Sequence, residues 1–160
     1  MRLTTKGRYA VTAMIDLAFH SQQNPTALTD IAARQSLSLS YLEQLFARLR
    51  RAGMVQGIRG PGGGYKLCRK ASDINIADII SAVDEQIDST SCGGESNCQN
   101  NQPCLTHDLW VGLSEQISKY LKGITLAELM EKNQVKEIAV RQAKDAQQVI
   151  EIHHHSRVNA

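Results

Sequence analysis

Aromatic side chains are scarce in this chain: two Phe, one Trp and four Tyr among 160 residues. Its core must therefore come mostly from Leu, Ile, Val and Ala on helices, and a 42% hydrophobic share is enough to build one. No apolar run approaches the roughly 20 residues that span a bilayer, so no membrane partner is expected. The basic N-terminus leads into an apolar stretch, Ala10–Phe19, but Asp16 interrupts it and no small-x-small cleavage site follows. A cytoplasmic protein is expected, and in that compartment four cysteines read as thiols or metal ligands rather than disulfides. Also missing are paired carboxylates in a plausible cleft, a phosphate-cradling loop ahead of a helix, and a Ser/His/Asp set. Nothing here points to an enzyme. There are no internal repeats.

Acidic residues are rare in one half only. Residues 1–70 hold eleven Lys or Arg against three Asp or Glu, whereas residues 71–160 hold seven against thirteen. The modest net charge of +2 hides this division. A basic front half fits a polyanionic partner for that half alone.

Hydrophobic periodicity predicts a mainly helical chain. Val11, Met14, Ile15, Ala18 and Phe19 mark a first helix over about Thr5–His20, broken by Asn24-Pro25. A second holds Leu28, Ile31 and Ala32, and Gln35–Ser38 reads as a tight turn. Ser40 reads as the N-cap of a third helix, with Glu43 completing a capping box and Gly53 ending it. Leu42, Leu45, Phe46 and Leu49 are its buried stripe. Two short strands, Val55–Ile58 and Tyr65–Cys68, flank the turn-rich Arg59-Gly60-Pro61-Gly62-Gly63-Gly64. This order is a winged helix-turn-helix, with the helix-turn-helix at 28–51 and the wing at 55–68. Ile76, Ile79, Ile80, Val83 and Ile87 predict a fourth helix. Leu109, Leu113, Ile117, Tyr120 and Leu121 predict a long fifth over 105–122, ended by Gly123, and Thr125 with Glu128 caps a short sixth. The pattern fades from Asn133, so 1–132 reads as the regulator domain and 133–160 as a flexible tail. Cys68 reads as a small buried apolar residue, and His153–His155 as part of the solvated tail.

A third helix of about fourteen residues is roughly 21 Å long and can enter a DNA major groove. Its N-terminal end would present Ser38, Ser40, Tyr41, Glu43 and Gln44 to base edges, and Gln can pair bidentately with adenine. Arg48, Arg50 and Arg51 lie further along, nearer to phosphates. Arg59 with Gly60, Pro61, Gly62 and Gly63 would bring the wing tip close to the backbone or a groove floor. Glu43 is the exception among these residues, because phosphate repels a carboxylate. It either closes the capping box or accepts from cytosine N4 and rejects wrong sites.

Between helices four and five lies a polar loop, about 88–107, with no hydrophobic pattern of its own. It carries Cys92, five residues, Cys98, five residues, Cys104, two residues, and His107. Thiolates and imidazole suit zinc or an iron–sulfur centre, and a bound metal would organise a segment that cannot bury itself. Structural zinc sites favour shorter Cys-x2-4-Cys knuckles, so the wide spacings favour iron–sulfur over zinc or a metal-free redox thiol cluster. A neutral imidazole in place of one thiolate makes the set less negative, easier to reduce and easier to lose.

Thr4–Ala13 (TTKGRYAVTA), Leu39–Leu49 (LSYLEQLFARL), Arg59–Tyr65 (RGPGGGY), Ile80–Asp84 (ISAVD) and the Cys/His set followed by Leu109-Trp110 resemble a family of small bacterial winged-helix regulators that includes the nitric-oxide sensor NsrR. Within that family the Cys/His spacing is similar to that of regulators of iron–sulfur cluster assembly. The resemblance covers Met1 to about Lys132. It implies a homodimer with one 2Fe–2S cluster per subunit on Cys92, Cys98, Cys104 and His107, loaded by cluster donor proteins. It also implies repression of cluster-assembly genes by the loaded form and action at other promoters by the empty one. The dimer would bury Leu109, Leu113, Ile117 and Leu121 of the fifth helix and read near-palindromic DNA. Nitric-oxide sensing and a zinc-stabilised winged helix without a sensing role are the alternatives.

Overall fold

Apolar residues spaced three and four apart make the first helix, α1 (Thr5–His20), where the sequence predicts it, burying Ala10, Ala13, Met14 and Leu17. The computed structural model describes the backbone of residues 5–158 and the side chains of residues 5–149. Helix α2 (Leu28–Gln35) ends at Ser36, whose φ of +53° turns the chain into α3 (Leu39–Arg51). The expected stripe of Leu42, Leu45, Phe46 and Leu49 is buried. The expected cap is not formed. Ser38 occupies the N-cap, Ser40 already lies inside the helix, and neither closes a capping box with Glu43; the two serine hydroxyls instead lie 3.0 Å apart. At the far end Ala52 is the C-cap and Gly53 follows at φ +69°. Gly53 N–H donates to Arg50 O and Met54 N–H to Leu49 O, both at 3.0 Å, the paired bonds of a Schellman ending that favours glycine.

Strands β1 (Val55–Ile58) and β2 (Gly64–Leu67) pair antiparallel, with Val55 opposite Leu67 and Ile58 opposite Gly64. Tyr65 also exchanges backbone bonds with Thr26, at 2.8 and 3.0 Å, and its ring meets Phe46 edge-on at 4.9 Å, which fastens the wing to α3. Cys68 falls outside β2 and is exposed, not buried. Strand alternation explains this: Leu67 packs against the core, so its neighbour turns away.

Helix α4 (Ile76–Ala82) is shorter than the periodicity to Ile87 implies. It stops because Asp84 takes a left-handed conformation, φ +56°, directly after the fully buried Val83. Buried Glu85 then turns back to accept the Gly7 amide in the first turn of α1. Helix α5 (His107–Lys122) begins two residues later than expected, leaving Leu105 outside and fully exposed. Ile76 N–H bonds Ile124 O and Leu126 N–H bonds Ile74 O, tying the far end of α5 to the start of α4. Helix α6 (Leu126–Glu131) has the expected Thr125/Glu128 capping box.

From Asn133 the chain forms a 26-residue helix, α7 (Asn133–Val158), rather than a flexible tail. It contains no Gly or Pro, and Val135, Ala139, Gln142, Ala143 and Ala146 make a half-buried stripe of mostly small residues at helical spacing. The side chains of His153–His155 lie outside the described residues. Gln142 bonds Gln35 on α2 at 3.0 and 3.2 Å, and Gln35 in turn bonds Asp16. That carboxylate is 4% exposed and takes a bidentate grip from Arg34 at 2.7–3.2 Å, fixing α2 on α1.

Candidate metal centre and nucleic-acid interface

The loop between α4 and α5 has almost no regular structure, and left-handed residues bend it repeatedly: Gly93, Gly94, Ser96, Asn100 and Asn101. It is pinned at its start. Asp88 accepts from Thr90 N–H (2.7 Å) and Oγ1 (3.0 Å), and Ser89 N–H donates to Ser114 Oγ on α5 (2.8 Å). This folding-back brings Cys92, Cys98 and His107 together, with their ligand atoms all within 4.8 Å of one another. His107 Nδ1 lies 3.6 Å from both sulfurs. Its Nε2 is 3.0 Å from Ser96 Oγ, the outer partner that fixes a ligating imidazole in place. Sequence spacing alone did not reveal Ser96, because only the bend at residue 96 swings it over the ring. Cys104, the fourth expected donor, stands outside the three-atom group but borders it at Cys98: its amide donates to Cys98 Sγ at 3.1 Å, its thiol also bonds that of Cys98, and its sulfur lies 3.8 Å from Thr106 Oγ1.

The thiols are unequal. Burial pushes Cys92 up, but Thr90, the Ser96 and Gly94 amides and Cys98 outweigh it, bringing it down to about 6. The Cys104 amide lowers Cys98, yet burial and the neighbouring thiols of Cys104 and Cys92 leave it raised. Cys104 is lowered, by Cys98 first and Thr106 next. A ready thiolate beside a neutral thiol and an imidazole is a soft donor set that fits an iron–sulfur group, with Cys104 one short loop movement away.

Most of the expected DNA-reading residues are open to solvent: Ser38 at the N-cap of α3, Ser40, Glu43, Gln44 and Arg51 within it, and Arg59, Gly60, Pro61 and Gly62 of the wing tip are exposed, and Gly63 is half-buried. Two others are engaged within the protein. Tyr41 is half-buried, its ring edge-on to Tyr9 at 6.0 Å. Arg48 forms an ion pair with Asp84, which the spacing of neither residue could foretell.

Helix α5 leaves an apolar face open: Leu109 (62% exposed), Leu113 (39%), Trp110 (41%) and Tyr120 (67%). Ile117 is half-buried beside them, whereas Leu121 turns inward and packs on the chain's own core. Trp110 and Tyr120 extend the face beyond the four residues expected from periodicity. Among the described residues no helix is long and apolar enough to cross a membrane.

Comparison with known proteins agrees with this arrangement. A family model described as Rrf2, iron-dependent transcriptional regulator, matches residues 3–132. The HTH-type transcriptional regulator IscR of Vibrio atlanticus is 58% identical over 145 residues, covering 91% of this chain and 84% of the relative. The IscR of Yersinia pseudotuberculosis is 57% identical, covering 91% and 88%. Among solved structures, T. potens IscR superposes with a TM-score of 0.68 at 38% identity, covering 82% of this chain and 87% of that one. CymR, the global cysteine regulator of B. subtilis, gives 0.69 at 35% identity, covering 81% and 95%.

Proposed function

Because the chain belongs to the Rrf2 family of iron-dependent transcriptional regulators, we propose that it senses iron–sulfur supply and reports it to promoter DNA. The reading is a cytoplasmic homodimer that holds one 2Fe–2S cluster per subunit on Cys92, Cys98, Cys104 and His107, filled by cluster donor proteins. It represses genes of iron–sulfur cluster assembly when loaded and acts on other sites, including as an activator, when empty. The convergence of Cys92, Cys98 and His107 at the start of α5 carries this reading. A bound cluster supplies a centre whose presence depends on iron, sulfide and redox state. The protein's part is to hold it. Ser96 orients the imidazole, Thr90 and two amides keep Cys92 a thiolate, and the bends at Asn100 and Asn101 leave Cys104 free to close on the group.

DNA is read by Ser38, Ser40, Tyr41, Glu43, Gln44, Arg51 and the Arg59–Gly63 tip in this reading, with Arg48, paired to Asp84, at their flank. The α5 face pairs with its twin through Leu109 and Leu113, with Ile117 alongside. A two-fold dimer sets its recognition helices about one DNA turn apart, so the sites are near-palindromic. The likeness to the IscR transcriptional regulators of Vibrio atlanticus and Yersinia pseudotuberculosis supports the regulatory role.

Purification without oxygen, followed by a visible spectrum, iron and sulfide analysis and selection of bound DNA from random sequence, tests the proposal. Coloured protein with equal iron and sulfide, and a site preference that changes when the four donors are replaced by alanine, is the expected result. Colourless, iron-free protein whose site preference ignores those replacements overturns it.

A further inference from the structure

Of the three arginines on α3, Arg48 is the one with an acidic partner among the described residues. Arg50 and Arg51 are exposed, and Arg51 makes only a local bond to Ala47 O. Arg48 lies one turn beyond Gln44, on the flank of α3 that faces the end of α4. Its partner, Asp84, comes from the acidic second half of the chain, and its placement is closely determined. Val83 before it is wholly buried, and Glu85 after it is buried with its carboxylate on the Gly7 amide. The left-handed turn at Asp84 therefore presents a carboxylate at the edge of the DNA-reading face, where residues 1–70 supply only three acids of their own.

We infer that Asp84 is a positioning residue that masks Arg48 from DNA, so that Arg48 is a reserve phosphate contact rather than a standing one. The inference rests on the DNA-binding reading above. The Asp84 side chain is 73% exposed and that of Arg48 33%, so water screens the pair. Exposed pairs of this kind hold their partners by on the order of two- to fivefold. Phosphate offers Arg a bidentate, charge-assisted alternative, and each phosphate neutralised also releases counterions. The mask is thus weak enough to be opened and strong enough to alter how many phosphates are engaged. Asp84 also opens the segment that runs on through Asp88 and Ser89, bonded to α5 through Ser114, to Cys92. The mask therefore stands at the head of the loop that carries the metal donors.

The test uses the full chain, purified anaerobically, and a duplex that the wild-type protein selects from random-sequence DNA. Dissociation constants are measured across KCl concentrations. Asp84→Asn removes the charge while keeping a residue that tolerates the left-handed turn, and a thermal melt checks its fold. The expected result has four parts. Asp84→Asn tightens binding about two- to fivefold and steepens the log–log salt slope by about one. Arg48→Ala alone leaves the slope near wild type. Asp84→Asn has no effect when Arg48 is already alanine. Asp84→Glu restores wild-type behaviour. Equal tightening with and without Arg48 would reveal plain repulsion between Asp84 and DNA and overturn the inference. So would a slope that falls by about one on Arg48→Ala while Asp84→Asn changes nothing. Wild-type protein that selects no sequence and binds without salt dependence would refute the DNA-binding reading itself, and the inference with it.

Discussion

Replacing Arg34 with alanine strands a carboxylate in the core. Asp16 sits in the middle of α1 at 4% exposure, and Arg34 supplies three of its contacts from α2, at 2.7, 3.0 and 3.2 Å; Gln35 Nε2 adds one at 2.6 Å, and His20 Nδ1 lies 3.5 Å away. Breaking a buried pair by removing one partner costs about 3–5 kcal/mol. The Arg34 side chain is 12% exposed and Gln35 and His20 remain beside Asp16, so the low end, about 3 kcal/mol, is expected. For a domain of this size that is a fall of roughly 6–12 °C in Tm.

The pH dependence separates this cause from simple loss of packing. Burial raises the Asp16 pKa, but the hydrogen bonds from His20, Arg34 and Gln35 and the charge of Arg34 outweigh it, so the native value lies below 3.8. A depressed carboxylate contributes stability above its unfolded pKa and loses it as pH falls through the folded value. Without Arg34 its two contributions no longer oppose burial, so the carboxyl moves up from its native value, and the variant is relieved as Asp16 takes a proton. The deficit of Arg34→Ala should therefore be largest near pH 7 and shrink toward pH 5. Urea melts followed by far-UV circular dichroism at both pH values, read as midpoints at constant m, measure it. A deficit below about 1 kcal/mol at pH 7, or one that does not change with pH, would refute the argument. His20 works in the opposite direction. Its bond to Asp16 raises it above 6.5 despite burial, so its share is full below that value and is lost as pH rises through the folded one.

Three further outcomes are expected. Glu43→Ala should broaden the set of DNA sites recovered in a selection without altering the melting temperature, because the exposed carboxylate makes no capping bond; an unchanged preference would show that Glu43 takes no part in reading bases. Leu113→Asp should leave the monomer folded but shift sedimentation from dimer to monomer and weaken operator binding on the order of a hundredfold, as two half-sites cease to act together; a dimer that survives would place the interface elsewhere. Gly64→Ala sets a Cβ about 2.4 Å from Thr26 O at φ +155° and should lower stability by about 2 kcal/mol or more, seen as an earlier melt; an unshifted melt would show that the Thr26–Tyr65 bridge does not restrain the wing.

Local chemistry was legible in the sequence where neighbours alone decide the outcome. The α3 stripe, the Thr125/Glu128 capping box and the hairpin around the glycine tip follow from spacing and turn residues. Ser40 and Glu43 show the same Ser/Thr-x-x-Glu pattern as Thr125 and Glu128, yet only the second pair caps. The helix had already begun at Leu39, so Ser40 has no extended backbone from which to reach back. Helix α7 escaped notice because its stripe is built from Ala and Gln, which scarcely register as apolar, and because Gln142 finds its partner on α2 over a hundred residues away. The four-donor spacing located the metal loop but not its internal order. Left-handed Asn100 and Asn101 and the Gln99–Gln102 pairing shape the stretch between Cys98 and Cys104, and no periodicity encodes them.

Helix α5 is where the two ends of the molecule's task meet. Its first residue, His107, is a proposed metal donor, and the next two turns carry Leu109, Trp110 and Leu113 of the open face. A 16-residue helix is a rod of about 24 Å, so movement at its first turn is not absorbed along its length. Its far end is fixed by the Ile124–Ile76 and Leu126–Ile74 bonds, which makes that end the pivot. The loop grips the near half through Ser89 and Asp88 on Ser114, and Thr90 braces Asp88. Each such bond is worth about 1 kcal/mol, so this small set matches the roughly 1–3 kcal/mol by which one site typically biases another. Ordering the loop therefore needs no large rearrangement to be felt at the proposed dimer face, since making or losing those few bonds supplies a bias of the required size.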